Sequence, residues 1–190
     1  MLNMDLRDEG GATYQWMDTE PVWEFGEGGS FTSWAWTWVE RPVVGQKKLM
    51  LSTEDLASMG STDLPEVTVR NVGALDGSVV SLGFVAYDQA VPPEFGGVET
   101  AASPPLGGEY PKKVLFDFDR SVVAAGGSES VRLRLSAEAV SVVMQDGSRW
   151  LHPAHFSVRI GDGDGSTLTV ELTGAPVQLP SYEWPPVSKG

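Results

Sequence analysis

Three tryptophans alternate along one segment, and their spacing offers the clearest chemical potential in this sequence. Trp34, Trp36 and Trp38 share one face of a predicted strand over residues 33–39, because side chains alternate between the two faces of a strand. A flat row of exposed indoles can stack on sugar rings, whereas apolar alternation in a soluble domain more often marks a buried face. We expect burial in a core or between domains, and an exposed row would favour sugar stacking.

Histidines and aspartates near the end of the chain do not have the spacing of a metal site. Asp162 and Asp164 alternate with glycines, as in calcium loops, but Glu171 comes too early to serve as the twelfth-position ligand of an EF-hand. His152 and His155 would point to opposite faces of a strand. The sequence therefore predicts a plain turn at the two aspartates, no metal site and no cofactor.

Motifs for nucleophilic or phosphate chemistry are absent. There is no Gly-x-Ser-x-Gly elbow and no glycine-rich phosphate loop. Glycoside hydrolysis requires two carboxylates at a defined separation, and no acidic pair here is singled out by an apolar environment that would raise one pKa. We therefore assign no catalytic residue to this chain.

Composition narrows the classes of partner. The chain has 190 residues, of which 41% are apolar, and this is enough for one packed domain. Its formal net charge of −13 disfavours nucleic acid and anionic membranes as partners. No apolar run approaches the roughly 18–20 residues that span a bilayer. The first residues lack the features of a secretory signal, so we expect either a cytoplasmic protein or a start inside a longer polypeptide, and the localisation stays unknown.

Alternating apolar side chains dominate the second half of the chain. Three such runs predict half-buried strands: Val114, Phe116 and Phe118; Val131, Leu133 and Leu135; and Phe156, Val158 and Ile160. A turn of small residues at Ala124–Gly127 separates the first two runs. Several short strands of this kind, joined by turns, favour a β-sandwich.

The first half of the chain adds two strands and a short helix. Pro65–Asn71 and Ser78–Asp88 read as strands, and Asp76-Gly77 between them is a hairpin signal. Residues 52–59 predict one helical turn, capped by Ser52 or Thr53, inside an otherwise loop-like insertion. A further strand is predicted over residues 167–172.

Residues 1–30 show little periodicity but are rich in aromatic side chains. Tyr14, Trp16, Trp23 and Phe25 are too many large rings for a free tail, because each buries a large area wherever it docks. We expect this arm to pack on another surface.

Motifs along both halves of the chain resemble those of one family and occur in the same order as in that family. The segments Met4–Arg7, Ala12–Met17 and Pro21–Thr32 correspond to Met-x-x-Arg, Arg-Thr-Tyr-x-Phe/Trp-Tyr and Pro-Val-x-Pro-Phe-Gly-x-Gly-Leu-Ser-Tyr-Thr elements. Met17, Glu24 and Gly29 are departures from that pattern, standing in place of an aromatic residue, a proline and a leucine. Together these segments resemble the region that leads into the last domain of β-xylosidase-type enzymes of glycoside hydrolase family 3.

The second half of the chain continues the resemblance. Its matching elements are Phe118–Arg120, Ala125–Ser130, Val131–Leu135, Ser136–Val140 and Pro153–Gly161. They are similar to the strands and turns of the fibronectin type III-like domain at the C-terminus of family 3 β-glucosidases and β-xylosidases. In that family the catalytic aspartate and glutamate lie in preceding domains, so the resemblance implies that this chain carries neither.

The resemblance implies an all-β, immunoglobulin-like antiparallel sandwich of about seven strands, with an irregular arm and tail. We expect an arm over residues 1–30, the sandwich over 31–174 with long loops at 40–64 and 89–111, and a Pro-rich tail over 175–190. The expected function is an accessory domain that is inactive alone and packs on glycosidase catalytic domains, in cis or in trans. That parent family is commonly secreted and cleaves terminal sugars from plant-type polysaccharides.

Two other readings of the sequence stay open. The chain could be a free-standing module that binds carbohydrate or another protein, using Trp34, Trp36 and Trp38 or the aromatic residues of the arm as a stacking surface. It could also be a truncated gene product with no independent role. The candidate packing or stacking residues are therefore Tyr14, Trp16, Trp23, Phe25, Trp34, Trp36 and Trp38.

Overall fold

The chain folds into short strands with one α-helix. The computed structural model describes residue 11 and residues 13–39, 48–87, 111–144, 146–161 and 167–181. Within them the strands are β1 Trp34–Trp38, β2 Lys48–Ser52, β3 Ser61–Asp63, β4 Val67–Asn71, β5 Gly77–Tyr87, β6 Val114–Val123, β7 Ser128–Val131, β8 Arg134–Ser136, β9 Val142–Val143, β10 Arg149–Leu151, β11 Ala154–Ile160, β12 Thr167–Thr173 and β13 Val177–Gln178. The helix α1 spans Thr53–Met59, and a 3-10 turn spans Glu138–Val140. No helix in these ranges is long and apolar enough to cross a bilayer.

Two sheets form the sandwich. One has the strand order β1-β4-β7, and the other has the order β2-β12-β11-β5-β6. Their facing sides supply the core, in which Val69 and Val131 of the first sheet and Phe156, Val158 and Val170 of the second are almost completely buried. The predicted all-β sandwich is confirmed. Its antiparallel part has seven strands, three in the first sheet and four in the second.

The segment predicted as a long loop over residues 40–64 contains regular structure. β2 adds to the main sheet parallel to β12, and α1 follows it directly. Ser52 caps α1, since its Oγ accepts the Asp55 N–H at 2.9 Å, and Leu56 is fully buried. The apolar alternation of Leu49 and Leu51 is the signal that the expected loop overlooked.

The predicted hairpin at Asp76-Gly77 is wrong. β4 already pairs with β1 on one side and with β7 on the other, so neither edge is free for β5. The chain instead crosses from the three-stranded to the five-stranded sheet at this turn. Asp76 Oδ1 accepts the N–H of Ala125 at 2.8 Å, and this hydrogen bond ties the crossing to the turn after β6.

Asn71 stabilises the same crossing between the sheets through hydrogen bonds inside the core, where its side chain is fully buried. Its Oδ1 accepts hydrogen bonds from the Thr32 hydroxyl at 2.6 Å and the Gly73 N–H at 3.1 Å. Its Nδ2 donates to the carbonyls of Leu75 at 2.8 Å and Val123 at 3.1 Å. One amide thus joins the end of the arm, the sheet crossing and the end of β6.

A bulge in the β5–β6 pair changes which face Phe118 occupies. Gly83 pairs with Asp117 and Phe84 with Leu115, so Phe116 is the extra residue on β6. A Cβ on Gly83 would lie 2.6 Å from the Phe116 ring, which therefore fills the space that the glycine leaves. The alternation predicted for Phe116 and Phe118 stops here, and Phe118 lies on the outer face.

The predicted strand over Val131–Leu135 is split into two. β7 ends at Val131 and pairs with β4, whereas β8 begins at Arg134 and pairs with β3. Leu133 lies between them and is buried against Gly83. The alternation therefore predicted the buried side chains correctly, although the backbone changes partner in the middle.

Glu171 of β12 anchors the parallel strand β2. Its carboxylate forms an ion pair with Lys48 and lies 3.4 Å from His155 Nε2, while only 5% of the residue is exposed. The hydrogen bond from Lys48 holds the pKa of Glu171 below its ordinary value of 4.5, and His155 acts in the same direction against the effect of burial.

Replacing Asn71 should destabilise the domain strongly. Asn71→Ala leaves buried donors and acceptors without partners, so we expect the free energy of unfolding to fall by about 2–4 kcal/mol. Urea unfolding followed by tryptophan fluorescence measures this loss. Thr37→Ser, at an exposed position of β1, is the matched control. A loss below about 1 kcal/mol would show that the amide is not central to the fold.

Stability should fall in acid partly through Glu171. A carboxyl whose pKa is lower in the folded than in the unfolded chain stabilises the fold above pH 4.5, and this contribution is lost as the pH falls through the folded pKa. Glu171→Gln should therefore unfold at lower urea than the parent at pH 7, with the difference shrinking below pH 4.5. Lys48→Met should remove the same pH-dependent contribution to the free energy of unfolding. If the stability of the parent and both variants changed with pH in the same way, the contribution would not come from Glu171.

Candidate functional site

The outer face of β5 carries the arm. Val80, Leu82, Phe84 and Ala86 share this face, as the sequence pattern predicts, and the opposite face of β5 is turned to the core. Tyr14 and Phe25 of the arm stack on each other with ring centroids 4.1 Å apart and planes 9° apart. Both rings meet Phe84 edge to face, at 6.3 and 6.2 Å. This three-ring cluster covers the middle of β5.

Two lysines immediately before β6 hold the arm in place. The Lys112 N–H donates to the Gln15 carbonyl at 2.8 Å, and its Nζ donates to the Met17 carbonyl at 2.9 Å and contacts Asp18. These contacts fix the first turn of the arm, in which the Met17 N–H returns to the carbonyl of Thr13.

Lys113 makes the second set of contacts. Its Nζ lies 3.0 Å from Glu24 Oε2 and 5.3 Å from the centroid of the Phe84 ring, so it combines an ion pair with a cation–π contact. The hydrogen bond from Lys113 lowers the pKa of Glu24. The Tyr14 hydroxyl accepts the Leu115 N–H at 3.2 Å, which completes the connection between the arm and β6.

Gly26 lets the arm lie flat on the sheet. Its φ of 87° is in the left-handed region, and a Cβ there would lie 2.3 Å from Leu82 Cδ1. In the structure the arm extends past the predicted boundary at residue 30 to Thr32, whose hydroxyl donates to Asn71 Oδ1.

The structure separates the predicted arm residues into two groups. Tyr14 and Phe25 pack on Phe84, although 47% of Phe25 stays exposed, and Trp16 is half-buried. Trp23 points outward with 74% of its surface exposed, and Phe31 is 97% exposed. Residues 1–10 lie outside the described part of the chain. The arm therefore covers this domain's own sheet and also presents large apolar side chains to solvent.

The three alternating tryptophans face inward. Trp36 and Trp38 are each 8% exposed, and Trp34 is partly buried against the same core. Trp36 Nε1 donates to Ser81 Oγ of the opposite sheet at 2.9 Å, and its ring lies over Gly161. These indoles hold the two sheets together, and their faces do not form an open platform.

A second exposed apolar region adjoins the arm. Cross-strand pairs on the outer face join Leu82 to Phe118, Val80 to Arg120, and Ser78 to Val122. Phe118 and Val122 are 64% and 76% exposed. Since Gly26 rests on Leu82, this region begins where the arm's cover ends.

Histidine and acidic side chains do not assemble a metal site in the described ranges, where no three His, Cys, Asp or Glu residues cluster. His152 is buried beside Trp150, and burial lowers its pKa. His155 lies by Glu171 on the outer face. The turn predicted at Asp162 and Asp164 lies outside the described residues.

One cleft of about 220 Å³ opens beside the start of β6, below the roughly 300 Å³ at which small-molecule sites begin. Its polar lining includes one carboxylate, Glu138, and the guanidinium of Arg149. A lone carboxylate does not provide the acid and base or nucleophile that glycoside hydrolysis needs.

Sequence reasoning missed the residues that hold the arm. Lys112 and Lys113 adjoin in a chain with 13 basic and 26 acidic residues, and they precede a predicted strand. That placement, opposite an arm containing Asp18 and Glu24, was the available signal. The sequence placed Asn71 at the end of a strand whose Asn71-Val72-Gly73 ending resembles that of the family, but it did not predict the buried amide contacts.

Comparison with known proteins agrees with the architecture. Residues 102–164 match the model of the fibronectin type III-like domain. The chain is 26% identical over its whole length to a probable exo-1,4-beta-xylosidase of Aspergillus japonicus and spans 23% of that protein. It is 27% identical over 83% of its length to an exo-1,4-beta-xylosidase of Aspergillus niger, of which it spans 19%. The chain thus spans about a quarter or less of these curated relatives.

Solved structures show the same fold. A family 3 exo-beta-xylosidase, in complex with a xylobiose aziridine activity-based probe, superposes with a TM-score of 0.73 and 21% identity, covering 98% of this chain and 23% of that one. A beta-glucosidase from Listeria innocua, in complex with glucose, gives a TM-score of 0.57 and 23% identity, covering 88% and 20%. These comparisons confirm the resemblance: the chain contains a fibronectin type III-like domain and is homologous to the C-terminal region of glycoside hydrolase family 3 xylosidases.

Proposed function

We propose that this chain is a non-catalytic accessory domain that packs on the catalytic region of a family 3 glycosidase and stabilises it, in cis within a longer polypeptide. The observation that carries the proposal is that side chains of the arm point in two directions. One set of its side chains binds the domain's own sheet, whereas Trp23 and Phe31 point away from it. Large exposed apolar side chains of this kind mark surfaces that another protein covers.

The arm's attachment supports a packing role. Lys112 and Lys113 hold the arm through charged and backbone contacts, and Tyr14 and Phe25 hold it through ring packing. The outward side chains are therefore presented from a fixed segment, which reduces the conformational entropy lost on association. Binding in trans would use the same surface and would require only that the catalytic region be a separate chain.

Carbohydrate binding is the weaker candidate. Trp36 and Trp38 of β1 are buried and Trp34 is partly buried against the same core, so a stacking surface would depend on Trp23, the one sequence-predicted aromatic that is mostly exposed among the described residues. One ring gives one stacking contact, whereas an extended oligosaccharide would need several in register. An oligosaccharide partner therefore stays secondary to protein packing.

The isolated chain should not hydrolyse glycosides. The described cleft offers one carboxylate where two are needed, so we expect no turnover of an aryl β-xyloside or aryl β-glucoside above the buffer rate. Release of the aryl group measures this directly, with the Aspergillus niger xylosidase as positive control. Turnover that persists through repeated purification would overturn the non-catalytic assignment.

Trp23 should contribute to binding more than to folding. A truncated Aspergillus niger xylosidase, lacking the region that this chain matches, is the probe for association by isothermal titration calorimetry. Trp23→Ser should weaken binding about tenfold or more, because exposed tryptophans that become buried dominate interfaces. Its unfolding midpoint should stay close to that of the parent, since the ring is 74% exposed in the domain alone.

Thr37→Ser serves as the control for this titration, because Thr37 is exposed on β1, in the other sheet. Failure of the parent chain to bind the truncated enzyme would contradict the proposed function. Equal affinity of Trp23→Ser and the parent for the truncated enzyme would show that the arm is not part of the interface.

A further inference from the structure

The outer face of β5 and β6 is unusually apolar for a solvent-facing sheet surface. We define the β5–β6 face by the six residues that pair across these two strands on the outer side: Ser78, Val80, Leu82, Phe118, Arg120 and Val122. Outward faces of antiparallel sheets are normally polar. Here four of the six side chains are apolar, and Val80, Phe118 and Val122 are among the exposed large hydrophobic residues.

Arg120 is the one charged residue of this face. It lies opposite Val80 and between Phe118 and Val122 along its own strand, so its nearest neighbours on this face are apolar side chains. None of the ion pairs formed among the described residues includes Arg120. In a chain of net charge −13, an unpaired cation within an apolar surface favours a partner that carries a carboxylate.

The strand edge beside this face is blocked. β6 is the last strand of its sheet, and its free edge would otherwise offer backbone N–H groups to an added strand. Asp117 Oδ1 accepts the Phe118 N–H at 2.9 Å, and Asp119 Oδ1 accepts the Arg120 N–H at 2.7 Å. Because their own neighbours satisfy these donors, a partner gains little by strand addition and is directed to the face.

Charge and position identify the occupant. The β5–β6 face contains no carboxylate, so a second copy docked face to face would leave both Arg120 side chains without an acidic partner. The face continues directly from the docked arm at Leu82, and the whole chain matches only 23% of a longer xylosidase, so most of that relative's length lies outside the matched region. The catalytic region is therefore the occupant that these observations favour.

We propose that the β5–β6 face docks flat against an apolar patch of the catalytic region, and that a carboxylate of that patch pairs with Arg120. This inference rests on the proposed function and deepens it, because it assigns the contact surface and the chemistry of the partner. Phe118 and Val122 supply the apolar contact, and Arg120 sets the orientation. Desolvation at the centre of such a contact makes a paired arginine selective for its partner.

The test compares four variants against the truncated Aspergillus niger xylosidase by calorimetry. Phe118→Ser and Arg120→Glu should each weaken binding at least tenfold, and Arg120→Lys should weaken it less than Arg120→Glu does. Asp119→Asn, which alters the blocked edge and leaves the face intact, should bind within twofold of the parent. Far-ultraviolet circular dichroism and the unfolding midpoint check folding, and Val122→Ser replaces any variant that fails to fold.

The outcomes separate this inference from the function on which it rests. No binding by the parent chain overturns the proposed function. Binding by the parent with unchanged affinity for Phe118→Ser and Arg120→Glu overturns the docking face alone. A change in affinity confined to Asp119→Asn, in either direction, indicates that the partner contacts the strand edge and also overturns it. A parent dimer in sedimentation that Phe118→Ser converts to monomer would assign the face to a second copy and overturn the choice of partner.

Discussion

The buried amide of Asn71 is the interaction on which the arrangement of this domain depends. It has four hydrogen-bonding positions, and all four are used by groups from the arm, the crossing after β4 and the end of β6. A buried amide that is fully satisfied costs little, whereas a partly satisfied one costs several kilocalories per mole. The residue therefore specifies one path for the chain: β4 stays in the three-stranded sheet, β5 enters the other, and the arm ends at the point where β4 ends and β5 begins.

That path decides what the arm can do. With its end held at Asn71 through Thr32, the arm is placed over the outer face of β5, where Lys112, Lys113 and Phe84 bind it. The domain thereby covers the middle of its main sheet with its own chain. Exposed apolar side chains remain outside this cover, among them Trp23 of the arm and those of the β5–β6 face.

The chemistry of the described residues is structural. Glu171, Lys48 and His155 form a charged group that joins β2 to the sheet, and Trp36 with Ser81 links the two layers. Trp36 and Trp38, two of the stacking candidates that the sequence offered, are thus engaged in holding the sheets together, whereas Trp23 points to solvent. This pattern suits a domain whose surfaces, and not its pockets, carry the function, as the homology to one region of much longer xylosidases also suggests.

The sequence by itself determined the local structure: the two-residue alternation in segments such as 154–160 fixed the strands and their buried sides, and Ser52 marked the helix start. It did so because side-chain periodicity and capping are properties of adjacent residues. Only the tertiary structure decided the Asp76-Gly77 crossing, the outward turn of Phe118 at the bulge, and the inward or outward side of each aromatic in the arm. These depend on which edges are already paired and where Gly83 and Gly26 leave room, and such facts exist only once distant segments have met.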